Sequence, residues 1–162
     1  MNNYKTELKW AIYFMIVSLL WMMMERMLGW HDELIAKHAV YTNLFAVPAI
    51  IVYVLALLDK RKTDYGGVMN YKQGFMSGLI ISLMVMVFSP VIQLLTTYII
   101  TPHYFPNAIA NAVGSGAMTQ EAAEAYFSLK SFLIQGVVGA PVMGIVTTAV
   151  VMLFIKSKQP ST

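Results

Sequence analysis

The sequence contains no cysteine, and only 12% of its 162 residues are charged. The absence of cysteine excludes disulfide bonds and thiolate metal sites. An ordinary soluble domain carries about 25% charged residues, because a small domain has to cover much of its surface with polar groups. The scarcity of charge therefore argues against a soluble domain. The chain also lacks the basic runs interleaved with aromatic residues that indicate nucleic-acid binding.

Apolar residues make up 58% of the sequence, and the mean hydropathy is +0.63. Crossing a bilayer takes about 20 mostly apolar residues in a helix, which satisfies its own backbone polar groups in lipid. Four segments meet this requirement: Trp10 to Leu28, Val40 to Leu58, Gly74 to Ile100 and Phe132 to Ile155. The sequence therefore predicts a single all-α integral membrane domain over residues 1–162 with four transmembrane helices.

The lysine and arginine residues predict how these helices are oriented. If both termini share one side, eight basic residues fall on that side, and Arg26, Lys37 and Lys130 fall towards the other. The eight are Lys5, Lys9, Lys60, Arg61, Lys62, Lys72, Lys156 and Lys158. Because positive residues are concentrated on the cytoplasmic side of membrane proteins, we expect both termini in the cytoplasm.

Three stretches carry a resemblance to a known family: "DKRKTDYGGVMNYKQGFMSGLIIS", "YIITPHYFPN" and "GAMTQEAAEAYF". Over most of its length the chain resembles the small four-span bacterial membrane proteins of the DUF4199 family. The motif positions are occupied by Gly66, Gly67, Gln73, Gly74, Phe75, Gly78 and Pro102. The resemblance implies four spans in a bacterial inner membrane, and it brings no established activity, cofactor or catalytic residue.

Glu25 and Arg26 lie within about one helical turn of the outer end of the first span, where long side chains can reach the headgroups. An interfacial edge is the preferred interpretation. Asn43, Gln93 and Gln135 lie at similar depths on the other three spans, so the five residues are also candidates for one polar layer that hydrogen-bonds between helices. An ion or substrate site is the third interpretation, because charges within a membrane are often functional.

The connector after the first span contains His31, Asp32, Glu33 and His38, which are possible metal ligands. The spacing of the two histidines is much looser than the His-x3-His spacing of a helical zinc site. A short connector between spans also has to be polar. We therefore expect no metal and no cofactor here.

Small residues repeat every four positions in the third and fourth spans, which lets helices approach closely. The stripes are Gly74, Gly78 and Ser82 in the third span, and Gly136, Ala140, Gly144 and Thr148 in the fourth. Packing of the third helix on the fourth is the simpler interpretation, and a seam between two copies of the chain is the alternative.

The loop before the fourth span contains a helix signal, since Thr119 can cap a helix that begins with Glu121 in its first turn. Ala122 and Tyr126 fall on the apolar side of this helix, so we expect an amphipathic extracytoplasmic helix. The preceding stretch "TPHYFPNAIANAVGSG" is expected to be less regular.

No catalytic motif is recognisable in the sequence, so we expect no enzyme. An enzyme at the outer interface would need His31, His38 or His103 as a base or ligand. The favoured function is assembly in the bilayer, with a second copy or with other membrane proteins. The alternative is a small transporter or channel subunit that uses the polar layer.

Overall fold

The computed structural model describes residues 4–157, and the secondary structure of this part of the chain is helical. The elements are α1 (Lys5–Met27), α2 (Ile35–Tyr41), a 3-10 turn (Thr42–Phe45), α3 (Ala46–Thr63), α4 (Tyr71–Leu95), a π turn (Thr96–Ile100), α5 (Tyr104–Gly114), α6 (Gln120–Tyr126) and α7 (Leu129–Ile155). Lys158, one of the basic residues that carried the orientation argument, lies outside the described residues.

Four helical segments are long and apolar enough to cross a membrane, which confirms the predicted number of spans. They are Lys5–Met27, Ile35–Thr63, Tyr71–Ile100 and Leu129–Ile155. The second begins before the predicted Val40, because α2 continues through the 3-10 turn into α3 without a break. Pro48 is the third residue of α3 and closely follows the 3-10 turn, so its missing N–H removes one backbone hydrogen bond where the two helical types meet.

The connection between α3 and α4 depends on glycine and on a helix cap. Gly66 and Gly67 have φ angles of +59° and +93°, which residues with a Cβ atom rarely adopt. Asn70 then caps α4: its side chain accepts a hydrogen bond from the Gln73 backbone N–H at 2.9 Å, and the Gln73 side chain accepts one from the Asn70 backbone N–H. This reciprocal pair satisfies two backbone donors at the start of a helix that is long and apolar enough to cross a membrane.

Helices α4 and α7 pack closely against each other through their small residues. A Cβ atom on Gly78 would collide with the side chain of Thr148, and one on Gly144 would collide with Ser82. Gly136 lies against Ser89, where a Cβ atom would stand 3.4 Å from the Ser89 hydroxyl. The two small-residue stripes therefore meet inside one chain.

One end of the bundle, here called the terminus end, brings the two ends of the described chain together. The backbone N–H of Ser157 donates to the Met69 carbonyl at 2.9 Å, and the Arg61 guanidinium donates to the Ile155 carbonyl at 2.9 Å. A buried ion pair also lies here, since the Lys60 ammonium is 2.8 Å from a Glu7 carboxylate oxygen, and the same ammonium pairs with the exposed Asp64. A buried cluster of Leu57, Met69, Val151 and Met152 closes this end of the bundle.

The opposite end, here called the cap end, carries α2, α5 and α6. The expectation of an irregular stretch before α6 is wrong, because Tyr104–Gly114 forms α5. Pro106 is the third residue of this helix and therefore costs no helical hydrogen bond, and the alanines that follow it favour a helix.

Helix α6 begins as predicted, with the Thr119 hydroxyl accepting a hydrogen bond from the Ala122 N–H at 3.3 Å. The helix is short, because Ser128 starts a new cap for α7. Ala123 is its buried residue, whereas Ala122 and Tyr126, which were assigned to the apolar face, are both exposed. The inward face is therefore rotated by one residue from the one that the sequence predicts.

Candidate functional site

Glu25, in the last turns of α1, is completely buried at 0% exposure. Its carboxylate oxygen Oε1 accepts a hydrogen bond from the indole N–H of Trp21, one turn earlier in the same helix, at 2.6 Å. A carboxylate withdrawn from water is costly unless donors surround it. The partners of the second oxygen therefore decide what this residue does.

Two histidines converge on the other oxygen of Glu25. Oε2 lies 2.9 Å from Nε2 of His31 and 3.3 Å from Nε2 of His38. The chain reverses directly after α1 through Gly29, whose φ of +73° favours glycine, and the Trp30 N–H donates to the Glu25 carbonyl at 3.0 Å. This turn folds His31 back over Glu25, while His38 approaches from α2.

Tyr104, the first residue of α5, completes the cluster. Its hydroxyl lies 3.3 Å from Nδ1 of His38, and its ring packs edge-on against His31 and His38 with centroid separations of 5.2 and 5.0 Å. Burial raises the pKa of the Tyr104 hydroxyl, and the nearby charge of Glu25 raises it further. Tyr104 therefore keeps its proton, and its O–H can donate a hydrogen bond to Nδ1 of His38 in the tautomer whose Nε2–H donates to Glu25.

Asn107, also on α5, holds the connector that carries His31. Its side-chain amide donates to the His31 carbonyl at 3.0 Å and to a carboxylate oxygen of Asp32 at 2.8 Å. Helix α5 thus contacts the cluster twice, through the phenol of Tyr104 and through the amide of Asn107. The position of the two histidines consequently depends on α5 as well as on α1 and α2.

A cavity of about 130 Å³ adjoins the cluster. Its polar lining residues are His31, His38, Gln93, Thr96, Thr97, Thr101 and Tyr104. Two buried polar atoms among the described residues have no hydrogen-bond partner, Nδ1 of His31 and Oγ1 of Thr96, and both residues line this cavity. Because such atoms almost always have a partner, the cavity is suited to a polar occupant such as water or a metal-bound ligand.

Glu25, His31 and His38 each offer one atom that can bind a metal ion, and the three atoms lie within 4.8 Å of one another. Two imidazole nitrogens and one carboxylate oxygen form a frequent ligand set for zinc and related metals. The spacing of the two histidines alone does not predict this ligand set, because Glu25 supplies the third ligand atom. The missing signal was Gly29, which allows the turn that returns His31 to the end of α1.

The five residues of the predicted polar layer form hydrogen bonds to groups outside the layer. Arg26 donates to the Ile100 carbonyl, and the amides of Asn43, Gln93 and Gln135 donate to the Ala39 carbonyl, the Thr97 hydroxyl and the Ser131 hydroxyl at 2.8, 2.9 and 2.9 Å. Glu25 bonds to Trp21 and the two histidines instead. Asn43, Gln93 and Gln135 nevertheless line one cavity, of about 440 Å³.

Two other residues that the sequence singled out lie away from the cluster. Glu33 is exposed in the connector, and His103 is exposed immediately before α5. His31 and His38 are therefore the members of the proposed set of base or ligand histidines that the structure brings together.

The chain was compared with known proteins. The model of the family described as protein of unknown function DUF4199 matches residues 9–157, which confirms the resemblance carried by the sequence motifs. No curated protein and no solved structure matches the chain.

Proposed function

Because the chain belongs to DUF4199, a family of proteins of unknown function, its role has to be inferred from its own residues. We propose that it is a small cation transporter or channel subunit of the bacterial inner membrane that takes up a cation through Glu25, His31 and His38. Both termini then lie in the cytoplasm, and the cap end faces the opposite side.

The distribution of charge supports this orientation. The terminus end contains Lys5, Lys9, Lys62 and Lys72. Arg61 also lies there, because its guanidinium donates to a carbonyl in the last turn of α7. The exposed acidic residues Asp32, Glu33, Glu121 and Glu124 belong to the cap end. A concentration of positive residues at the terminus end is the pattern of a cytoplasmic face.

The observation that carries the proposal is the sharing of one buried carboxylate oxygen by two imidazoles. Burying such charged and titratable groups costs free energy that apolar side chains of similar size would not cost. Ionisable residues placed within a membrane protein accordingly mark cation and proton sites more often than structural contacts. Carboxylate and imidazole are also the groups that exchange protons near neutral pH or bind metals.

Two cavities that share a lining residue support movement of a cation away from this site. Gln93 lines both the small cavity beside the histidines and the larger one, and the larger one reaches Tyr53 and Gly144 in the middle of the bundle. The buried cluster that contains Leu57 and Met152 follows towards the terminus end. This arrangement fits access from the cap end with an apolar seal at the other end.

The favoured expectation from sequence, assembly with a second copy or another membrane protein, has less geometric support. It drew on the small-residue stripes, and Gly78 and Gly144 are occupied by contacts between α4 and α7 of the same chain. A non-enzymatic role remains part of the proposal.

The test is a flux measurement with the full chain in liposomes. Wild-type protein should carry protons or divalent cations faster than protein-free liposomes, and Glu25→Gln should abolish the difference. Glu33→Gln is the matched control, because it removes the same charge from an exposed position on the same connector. Wild-type flux equal to that of empty liposomes, or equal flux in both variants, would contradict the proposal.

A further inference from the structure

The geometry of the cluster points to the chemical class of the cation. We infer that Glu25, His31 and His38 bind a divalent transition metal of the zinc class, with one coordination position left open towards the small cavity lined by Thr96 and Tyr104. This inference rests on the proposed function, in which the same cluster takes up a cation.

The spacing of the three ligand atoms fits such an ion. Zinc bonds of about 2.0 to 2.2 Å in a tetrahedron place neighbouring ligand atoms about 3.4 Å apart. The Glu25 oxygen already lies 2.9 Å from the His31 nitrogen and 3.3 Å from the His38 nitrogen. All three atoms lie within 4.8 Å of one another, so small rotations of the imidazoles bring them to bonding distance.

The type of ligand selects the class of metal. Imidazole nitrogens suit zinc, copper, nickel and iron, whereas magnesium and calcium prefer sites made of oxygen atoms. Two of the three ligands here are imidazoles, and the third is a carboxylate. The cluster should therefore discriminate strongly against the two abundant hard cations.

The surroundings of His38 also suit a metal ligand. When Nε2 of a neutral His38 binds a metal, its proton moves to Nδ1, which then donates to the Tyr104 hydroxyl 3.3 Å away. A hydroxyl both donates and accepts, so Tyr104 serves both tautomers. Metal-binding histidines usually have such a partner, which fixes the orientation of the ring.

The small cavity supplies the open position. His31 Nδ1 and Thr96 Oγ1 are buried without a partner among the described residues, and both residues line this space of about 130 Å³. A water molecule bound to the metal would fit there and could bond to Thr96 Oγ1, and a second water in the same space could accept from Nδ1 of His31. With three protein ligands, one coordination position stays open for an exchangeable water molecule.

The experiment measures binding of zinc to the purified full chain in detergent after removal of metals with a chelator. Isothermal titration should give one zinc ion per chain, with no detectable binding of magnesium or calcium under the same conditions. Cobalt(II) should give the visible absorption of a four-coordinate site. His31→Gln and His38→Gln should each weaken zinc binding by at least about 100-fold, since each removes a ligand.

His103→Gln is the matched control, because it removes an exposed histidine near the same end of the bundle. It should leave zinc affinity unchanged, and elution as a single species shows that each variant is folded. Zinc binding that survives both ligand variants would overturn the inference. If the protein binds no zinc but carries a proton flux that requires Glu25, the inferred metal site is wrong and the proposed function stands. If the protein shows neither zinc binding nor flux, the metal site and the proposed function are both wrong.

Discussion

Nε2 of His31 lies 2.9 Å from Oε2 of Glu25, and the two residues are 2% and 0% exposed. They are separated by six positions in the sequence, and neither is exposed to bulk solvent. A donor or acceptor left alone at such a position keeps the full cost of its desolvation. Each residue is therefore expected to depend on the other for its stability in the folded protein.

Glu25→Ala should lower the stability of the folded protein substantially. The change removes the acceptor of N–H groups from Trp21, His31 and His38. Each buried donor left unsatisfied costs about 1 to 3 kcal/mol, although relaxation and entry of water reduce the sum. We expect a loss of about 2 to 4 kcal/mol, measured by thermal or denaturant unfolding in detergent.

Glu33→Ala is the appropriate reference for that measurement, because Glu33 is exposed on the same connector. Glu7 is not suitable, because it is 1% exposed and its carboxylate is 2.8 Å from the Lys60 ammonium. Equal unfolding midpoints for Glu25→Ala and Glu33→Ala would show that Glu25 is an interfacial residue without structural dependence on the histidines.

The four long helices could be predicted from the sequence because an apolar run of transmembrane length is a local property. The caps of Asn70 and Thr119 are local as well, since each depends on residues within three positions. The inward face of α6 could not be predicted in the same way. Ala123 of this helix is buried, whereas Ala122 and Tyr126 are exposed. Packing at the cap end decides which of these residues faces inward.

The candidate site shows more clearly that contacts between distant parts of the chain cannot be predicted from local sequence. Depth along a helix predicted that Asn43, Gln93 and Gln135 would meet, and they do line one cavity. The depth of a residue along a helix does not predict in which direction around the helix axis its side chain points. The side-chain amide of each of these residues donates to a group four positions away in the same helical segment. His31 reaches Glu25 through a local turn at Gly29, whereas its contact with Tyr104 of α5 is a tertiary feature.

Topology reporters test the orientation on which the proposed function depends. Reporters that are active in the cytoplasm should work when fused after Lys62 or Lys158, and reporters that need the opposite side should work near Lys37 or Asn111. The physical reason is the excess of positive residues at the terminus end. The reverse pattern of activity would place the cap end in the cytoplasm and remove the proposed access route.

Gly78→Ala should destabilise the bundle, because the new methyl group would collide with the side chain of Thr148 where α4 meets α7. Overpacking of this kind costs about 1 to 3 kcal/mol. Gly139→Ala is the matched control within α7, since no atom lies within 4 Å of the position of its Cβ. This control should be neutral or stabilising by up to about 1 kcal/mol, because alanine favours a helix more than glycine does.

Unfolding of the two glycine variants in detergent provides the measurement. A larger loss in Gly139→Ala than in Gly78→Ala would mean that the open face of α7 is covered in the assembled protein. That result would restore assembly between copies as the better explanation of the small residues.

Tyr104→Phe should change how stability depends on pH at the alkaline end. Burial, and then the charge of Glu25, raise the pKa of the Tyr104 hydroxyl. In the unfolded chain a tyrosine loses its proton above about pH 10. The folded protein then holds one proton more than the unfolded chain, so stability falls as pH rises, by at most about 1.4 kcal/mol per pH unit from this group.

At pH 8 the wild-type protein should be more stable than Tyr104→Phe by about 0.5 to 1.5 kcal/mol, the contribution of the lost hydrogen bond to His38. Between pH 10 and pH 11 this advantage should shrink or reverse, because the variant has no hydroxyl to ionise. Unfolding midpoints of wild type and Tyr104→Phe, measured in steps of half a pH unit, show whether the advantage shrinks or stays constant. Parallel curves for wild type and Tyr104→Phe would show that the phenol is open to solvent and does not close the cluster of Glu25, His31 and His38.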